Sequence, residues 1–251
     1  MKIIISPAKK MRTDNDYISC RQLPVFVKEA DFLRKYLCGL TYDELKKLWA
    51  CNDDIARLNY DRLQHMDLYK NLSPAILSYD GIQYQYMAPQ VFETSYFEYV
   101  EKHLRIISGF YGILKPFDGI IPYRLEMQAK LKTDFCKNLY DYWKDKIYSE
   151  LKKDSDVILN LASNEYSKTV TKYLSSDIRL VSCIFGELID GRVREKGVYV
   201  KMARGEMVRY MAENSIEDIE QIKAFDRLGF TYSDELSEPD KYVFLKSVGK
   251  G

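Results

Sequence analysis

Hydrophobic positions along this chain follow two rhythms. Short, mainly apolar runs at 2–5 and 157–161 read as buried strands, whereas 25–37 repeats its apolar residues at helical spacing. Thr41-x-x-Glu44 makes a capping box ahead of Leu45 and Leu48, and Asn52 is placed to cap a helix over 55–63, so this whole region reads as a helical layer. Residues 75–79 are strand-like with Asp80-Gly81 as a turn, and Ser95-x-x-Glu98 opens a short helix. Beyond it 139–151 and 167–174 are helical, and 180–185 pairs with 192–200 through a hairpin turning at Asp190-Gly191. Helical patterns over 206–213 and 216–224 precede a last strand at 242–245. Hairpins and helices alternate without a repeated βαβ period, which predicts an α+β fold with a mixed sheet and helical layers.

Composition narrows the class. With 251 residues, 46% hydrophobic and 30% charged, the chain reads as a soluble globular protein, taken here as one domain over 1–251. No apolar stretch approaches the roughly 20 residues of a membrane helix. The apolar run at 3–5 is too short for a signal-peptide core, so the expected location is cytoplasmic. Cys20, Cys38, Cys51, Cys136 and Cys183 are scattered without a C-x-x-C pair, and His65 and His103 stand alone, which argues against a disulfide framework or a metal centre. Neither metal nor cofactor is expected. Formal charge is only +1, yet six cations face two acids over 192–209 and nine acids face two cations over 213–240. Such segregation allows a basic cleft and an acidic outer face on one neutral protein.

Candidate chemistry gathers in four segments. The stretch 104–127, LRIISGFYGILKPFDGIIPYRLEM, interrupts an apolar run with Gly109, Gly112 and Gly119 and with Arg105, Lys115 and Arg124, a composition suited to a turn that holds an anion. Ser6-Pro7-Ala8-Lys9-Lys10, Asn160 to Tyr166 (NLASNEY) and Lys201 to Arg209 complete the set. Three of the four follow or contain a predicted strand, and polar residues just past strand ends are where sheets assemble sites, so the loops are expected to converge on one cleft. Each has a structural alternative: solvated lysines at Lys9 and Lys10, a helix cap at Ser163, a solvated helix face at Arg204 and Arg209. Tyr79, Tyr84, Tyr86, Tyr111 and Tyr123 suit base stacking, although core packing is the commoner use of such residues. The chain has no P-loop, no G-x-S-x-G elbow and no dinucleotide fingerprint. An enzyme site of Ser6, Lys9, Glu126, Ser163 and Glu165 stands as the alternative to a binding surface.

On these segments the chain resembles the YaaA peroxide-stress protein family from end to end. The blocks that carry the resemblance are ISPAK at 5–9, HLRIISGFYGILKPFD at 103–118, PYRLEM at 122–127, NLASNEY at 160–166 and K-x-A-R-G at 201–205. Lys10, Lys115 and Gln128 stand where many members have threonine, arginine and glycine. The resemblance implies a bacterial protein that limits oxidative damage, is linked to lowered free iron, and binds double-stranded or structurally distorted DNA through a basic central cleft containing a helix-hairpin-helix-like element. That element is expected at 109–112. The corresponding DNA contacts are Lys9, Lys10, Arg105, Gly109, Gly112, Lys115, Arg124, Lys201, Arg204 and Arg209, made to phosphates without reading sequence. No membrane partner is expected, and the chain is expected to act as a monomer.

Overall fold

A computed structural model describes residues 1–13 and 18–247. Strand Lys2–Ile5 is buried at every position, as a strand with neighbours on both edges and layers on both faces must be. It runs parallel to Leu104–Ser108 on one side and to Val157–Leu161 on the other. The sheet continues through parallel Arg179–Ile189 and Lys241–Lys246. Antiparallel Gly112–Leu114 and Phe230–Tyr232 border it, and Arg192–Arg194 folds back on Arg179–Ile189. The result is an α+β fold around a mixed eight-stranded sheet.

Helices Val27–Cys38, Tyr42–Trp49 and Asp53–Gln64 form the layer expected near the amino terminus. Both caps are present: Thr41 and Glu44 cap each other's backbone, and Asn52 Oδ1 accepts from the Ile55 amide at 3.0 Å. The hairpin at Asp190-Gly191 also forms, with φ of 49° and 70° at its two turn residues, the primed geometry that matches strand twist.

Other elements depart from expectation for local reasons. Residues 75–79 are a helical turn, Ala75–Ser78, running into the two-residue strand Tyr79–Asp80, since a short buried apolar run satisfies either geometry. Helix Thr94–His103 is preceded by Glu93, so Ser95 lies inside it and caps nothing. The 139–151 pattern divides into Leu139–Trp143 and Lys146–Lys152 where Lys144 adopts φ of 47°. The helix expected over 167–174 starts earlier and spans Asn164–Thr171. The strand expected over 192–200 ends at Arg194, and the chain is helical over Gly197–Glu213. Residues Ile219–Ala224 form a 3-10 helix. No helix among the described residues is long and apolar enough to cross a membrane.

Candidate functional site

Three adjacent parallel strands, Lys2–Ile5, Leu104–Ser108 and Val157–Leu161, end on the same side of the sheet, and the loops that follow the first and third open the site. Ser6 to Lys10 leaves the first strand and Ala162-Ser163 leaves the third, while 123–126 and the helix residues Lys201 and Arg204 close the sides. Together with Asp80, Gly81 and helix Ile82–Met87 they line a cleft of about 550 Å³. Ser6, Lys9, Lys10, Arg124, Glu126, Ser163, Glu165, Lys201 and Arg204, drawn from widely separated parts of the chain, thus share one concavity.

The floor is a hydrogen-bonded seam between loops. Asn160 Oδ1 accepts from the Ala162 amide at 3.0 Å and shapes the turn that carries Ser163. The Ser163 amide donates to Ser6 Oγ at 2.9 Å, and Ser6 Oγ donates to Ser163 Oγ at 3.3 Å. Ser163 occupies the position before helix Asn164–Thr171, but its hydroxyl faces Ser6 and makes no cap bond. Tyr84 Oη donates to the Ser6 carbonyl at 2.9 Å, fixing the first loop from the opposite wall.

Charges alternate above this floor. Glu126 Oε1 lies 3.0 Å from an Arg124 terminal nitrogen and 3.6 Å from Lys9 Nζ, without the alignment of a hydrogen bond to either. Lys10 pairs with Asp80 at 2.6 Å. Glu165 accepts from the Gln128 amide at 3.0 Å; burial pushes its carboxyl above the ordinary range, Glu126 adds to the rise, and the Gln128 amide and Lys9 oppose it. Arg124 and Arg204 each bury an Nε that has no hydrogen-bond partner. At Arg204 burial also draws the guanidinium below the usual range even though it stays protonated. A buried, incompletely satisfied cation at the wall of a cleft is a standing site for an anion.

Several expected contacts lie elsewhere. Gly109 and Gly112 form no helix-hairpin-helix: strand Leu104–Ser108 pairs antiparallel with Gly112–Leu114, and the turn between them is buried. Ser108 Oγ accepts from the Phe110 and Tyr111 amides at 3.2 and 2.9 Å, so those amides are not offered to phosphate. Gly112 is needed for its φ of 75° and for the Trp143 ring, 2.8 Å from where a Cβ would stand. A Cβ on Gly109 would press into the main chain of 125–127, so that glycine seats the PYRLEM loop from beneath. Arg105 is buried on its strand and donates to the Glu101 and Leu104 carbonyls; with Lys115 it borders a separate hollow beside Asp118. Arg209 pairs with Glu213, which also binds Arg227, so the basic and acidic stretches partly neutralise each other in the fold.

A helix pair with a short turn does exist at Tyr42–Trp49 and Asp53–Gln64, but Asp53 and Asp54 open its second helix and Asp53 is held by Lys46 and Arg57. Tyr79, Tyr84, Tyr111 and Tyr123 are core residues, tied by the Tyr79–Tyr123 and Ser108–Tyr123 hydroxyl bonds of 2.8 and 2.6 Å. Tyr84, read from sequence as a stacking candidate, also borders the cleft, and Asp80 and Gln83 belong to it and escaped sequence reading. The Asp80-Gly81 turn signal marked the place without marking its role. Among the described residues no cluster of three or more His, Cys, Asp or Glu side chains is arranged to hold a metal ion.

A family model described as peroxide stress protein YaaA matches residues 1–236. A UPF0246 protein of Desulfitobacterium hafniense is 66% identical over the whole of both chains. UPF0246 proteins of Pediococcus pentosaceus and Lachnoclostridium phytofermentans are 51% and 52% identical, covering 98% of this chain and 98% and 96% of their own. The chain belongs to the peroxide stress protein YaaA family.

Proposed function

For this member of a peroxide-stress family we propose DNA binding, with the four-loop cleft and its rim as the phosphate-contacting surface. The observation that carries the reading is the convergence of Lys9, Lys10, Arg124, Lys201 and Arg204, from three distant segments, on one concavity in which they outnumber Asp80, Glu126 and Glu165. Helix dipoles and glycine amides are not required. Cations on separate segments suit phosphates spaced along a strand, and Arg124 and Arg204, each with a buried Nε that lacks a partner, gain most from an arriving anion. A volume of about 550 Å³ is far too small to enclose a duplex, so DNA lies across the mouth and sends a phosphate or an unpaired nucleotide inward. Lowered free iron then enters as a consequence in the cell and not as metal ligation by the cleft.

The test is a pair of fluorescence-anisotropy titrations of one duplex at two salt concentrations, repeated with an unrelated sequence of equal length. Neutralising four or five phosphates makes affinity fall by roughly two orders of magnitude between about 50 and 200 mM salt, with little change between sequences. Absent or salt-insensitive binding sinks the reading. A second reading, an enzyme acting on a small phosphate-bearing molecule, is favoured by the Ser6–Ser163 hydroxyl pair beside a carboxyl raised by burial. Under it Ser163→Ala and Glu165→Gln abolish peroxide survival while DNA affinity stays intact.

A further inference from the structure

Beside the cleft, across the Gln128–Glu165 hydrogen bond, lies a second hollow of about 340 Å³ whose rim carries Lys130, Lys132 and Lys137. All three lysines are exposed, and none makes an ion pair among the described residues. Elsewhere on this surface lysines are commonly paired, as Lys35, Lys146 and Lys196 are, so an unpaired set on one short segment is a local field of one sign. Asp134 is the one acid within the segment 128–138.

The same segment presents an aromatic surface. Thr133 Oγ1 accepts from the Phe135 and Cys136 amides at 3.2 and 2.9 Å, and the Thr133 amide donates to the Cys136 carbonyl at 2.9 Å. This tight turn buries Cys136 and holds Phe135 outward, 37% exposed, against Phe32, itself 50% exposed. Their rings meet edge to face with centroids 4.9 Å apart, an arrangement that leaves ring surface open to solvent. Two large exposed rings beside unpaired lysines form the pattern of a stacking platform with an electrostatic track.

Resting on the DNA reading above, we infer that this rim is a path for a single, unpaired nucleic-acid strand leaving the cleft, with phosphates on Lys130, Lys132 and Lys137 and a base stacked on the Phe32–Phe135 pair. Charge complementarity selects a polyanion over an apolar peptide. The rings select an unpaired strand over a duplex, whose base faces are already stacked on one another. The substrate of the whole surface is therefore a junction: duplex at the cleft mouth, single strand along the rim.

Anisotropy titrations with a blunt duplex and with the same duplex carrying an oligothymidine overhang of about eight nucleotides test this. Wild-type protein binds the overhang probe about tenfold more tightly than the blunt one. Phe135→Ala removes that advantage, and the Lys130→Gln/Lys132→Gln/Lys137→Gln variant removes it and lowers the salt slope for the overhang probe by about 2. Both variants bind the blunt duplex as wild type does. Equal wild-type affinity for the two probes overturns the inference and leaves the cleft reading standing, and so does an overhang advantage that survives in the lysine variant, or a parallel loss of both probes in a folded variant. If the wild type binds neither probe, the cleft reading fails and this inference falls with it.

Discussion

Gly205→Ala sets two effects against each other whose sizes decide the outcome. In an exposed helix the change gains about 1 kcal/mol, because glycine costs more backbone entropy than alanine. Gly205, however, sits where helix Gly197–Glu213 crosses helix Ile82–Met87. A Cβ there would overlap the Gln83 carbonyl oxygen and lie 2.9 Å from the Met87 amide nitrogen. Both are main-chain atoms and neither can rotate aside, so the helices must separate. Overpacking of this kind costs about 1–3 kcal/mol, and loosening Gln83 also weakens its 3.4 Å bond to the Leu161 carbonyl at the cleft floor. The net expectation is a loss of up to about 2 kcal/mol, or a midpoint lower by as much as roughly 8 °C for a chain of this size. Thermal melts followed by circular dichroism measure it, with Gly197→Ala as the control, since a Cβ at Gly197 meets nothing within 4 Å. A Gly205→Ala melt at or above wild type would refute the close-crossing account. Because Lys201 and Arg204 ride on the same helix, DNA affinity is expected to fall in parallel, and only for Gly205→Ala.

Three other outcomes follow from the charges. Arg204→Met removes a buried cation whose Nε lacks a partner, so the melting midpoint should hold or rise while DNA affinity drops at least tenfold in anisotropy; a marked loss of stability would make Arg204 structural. Arg209→Ala should do the opposite, costing about 0.5–1 kcal/mol in denaturant melts through its bond to Glu213 and leaving DNA affinity unchanged. Burial pushes the Asp118 carboxyl up to about 6 from 3.8, so its ionisation penalises the folded state, with no cost below about pH 4 and the full cost, at most roughly 3 kcal/mol, above about pH 6. Asp118→Asn should then gain stability relative to wild type as pH rises from 4 to 8, and a pH-independent difference would contradict this.

Much of the framework was legible in the sequence because its signals are local. The Thr41–Glu44 box and the Asn52 cap are set by atoms within one helical turn, and the runs at 2–5 and 157–161 are mainly apolar because parallel strands are covered on both faces. The convergence of Lys9 with Ser163 was legible for a related reason, since loops that follow neighbouring parallel strands emerge on one side, whereas Arg124 and Lys201 reach the cleft from a loop and a helix outside those strands. Residues 75–79 and 197–200 were not legible. Both carry β-favouring side chains, and each was settled by what packs against it, as tertiary contact overrides weak propensity.

Arg105 and the glycines misled for a different physical reason. A charged residue in a composition suited to anion binding still lies buried when its strand is covered on both faces, and Arg105 meets its hydrogen-bonding needs on the Glu101 and Leu104 carbonyls. A glycine that lets a ligand reach the backbone and one that lets another backbone do so look identical in sequence. Gly109 lies under the main chain of 125–127 and Gly205 against that of Gln83 and Met87, so each brings one wall of the cleft to its place. Under the proposed reading Gly109 and Gly205 therefore position cations that contact the ligand and do not touch it themselves. Valine at Gly109 should accordingly act through stability: the PYRLEM loop shifts, Arg124 and Glu126 shift with it, and DNA affinity falls only as far as the midpoint does. A folded Gly109→Val protein with wild-type melting and no DNA binding would restore the direct phosphate contact that the buried turn speaks against.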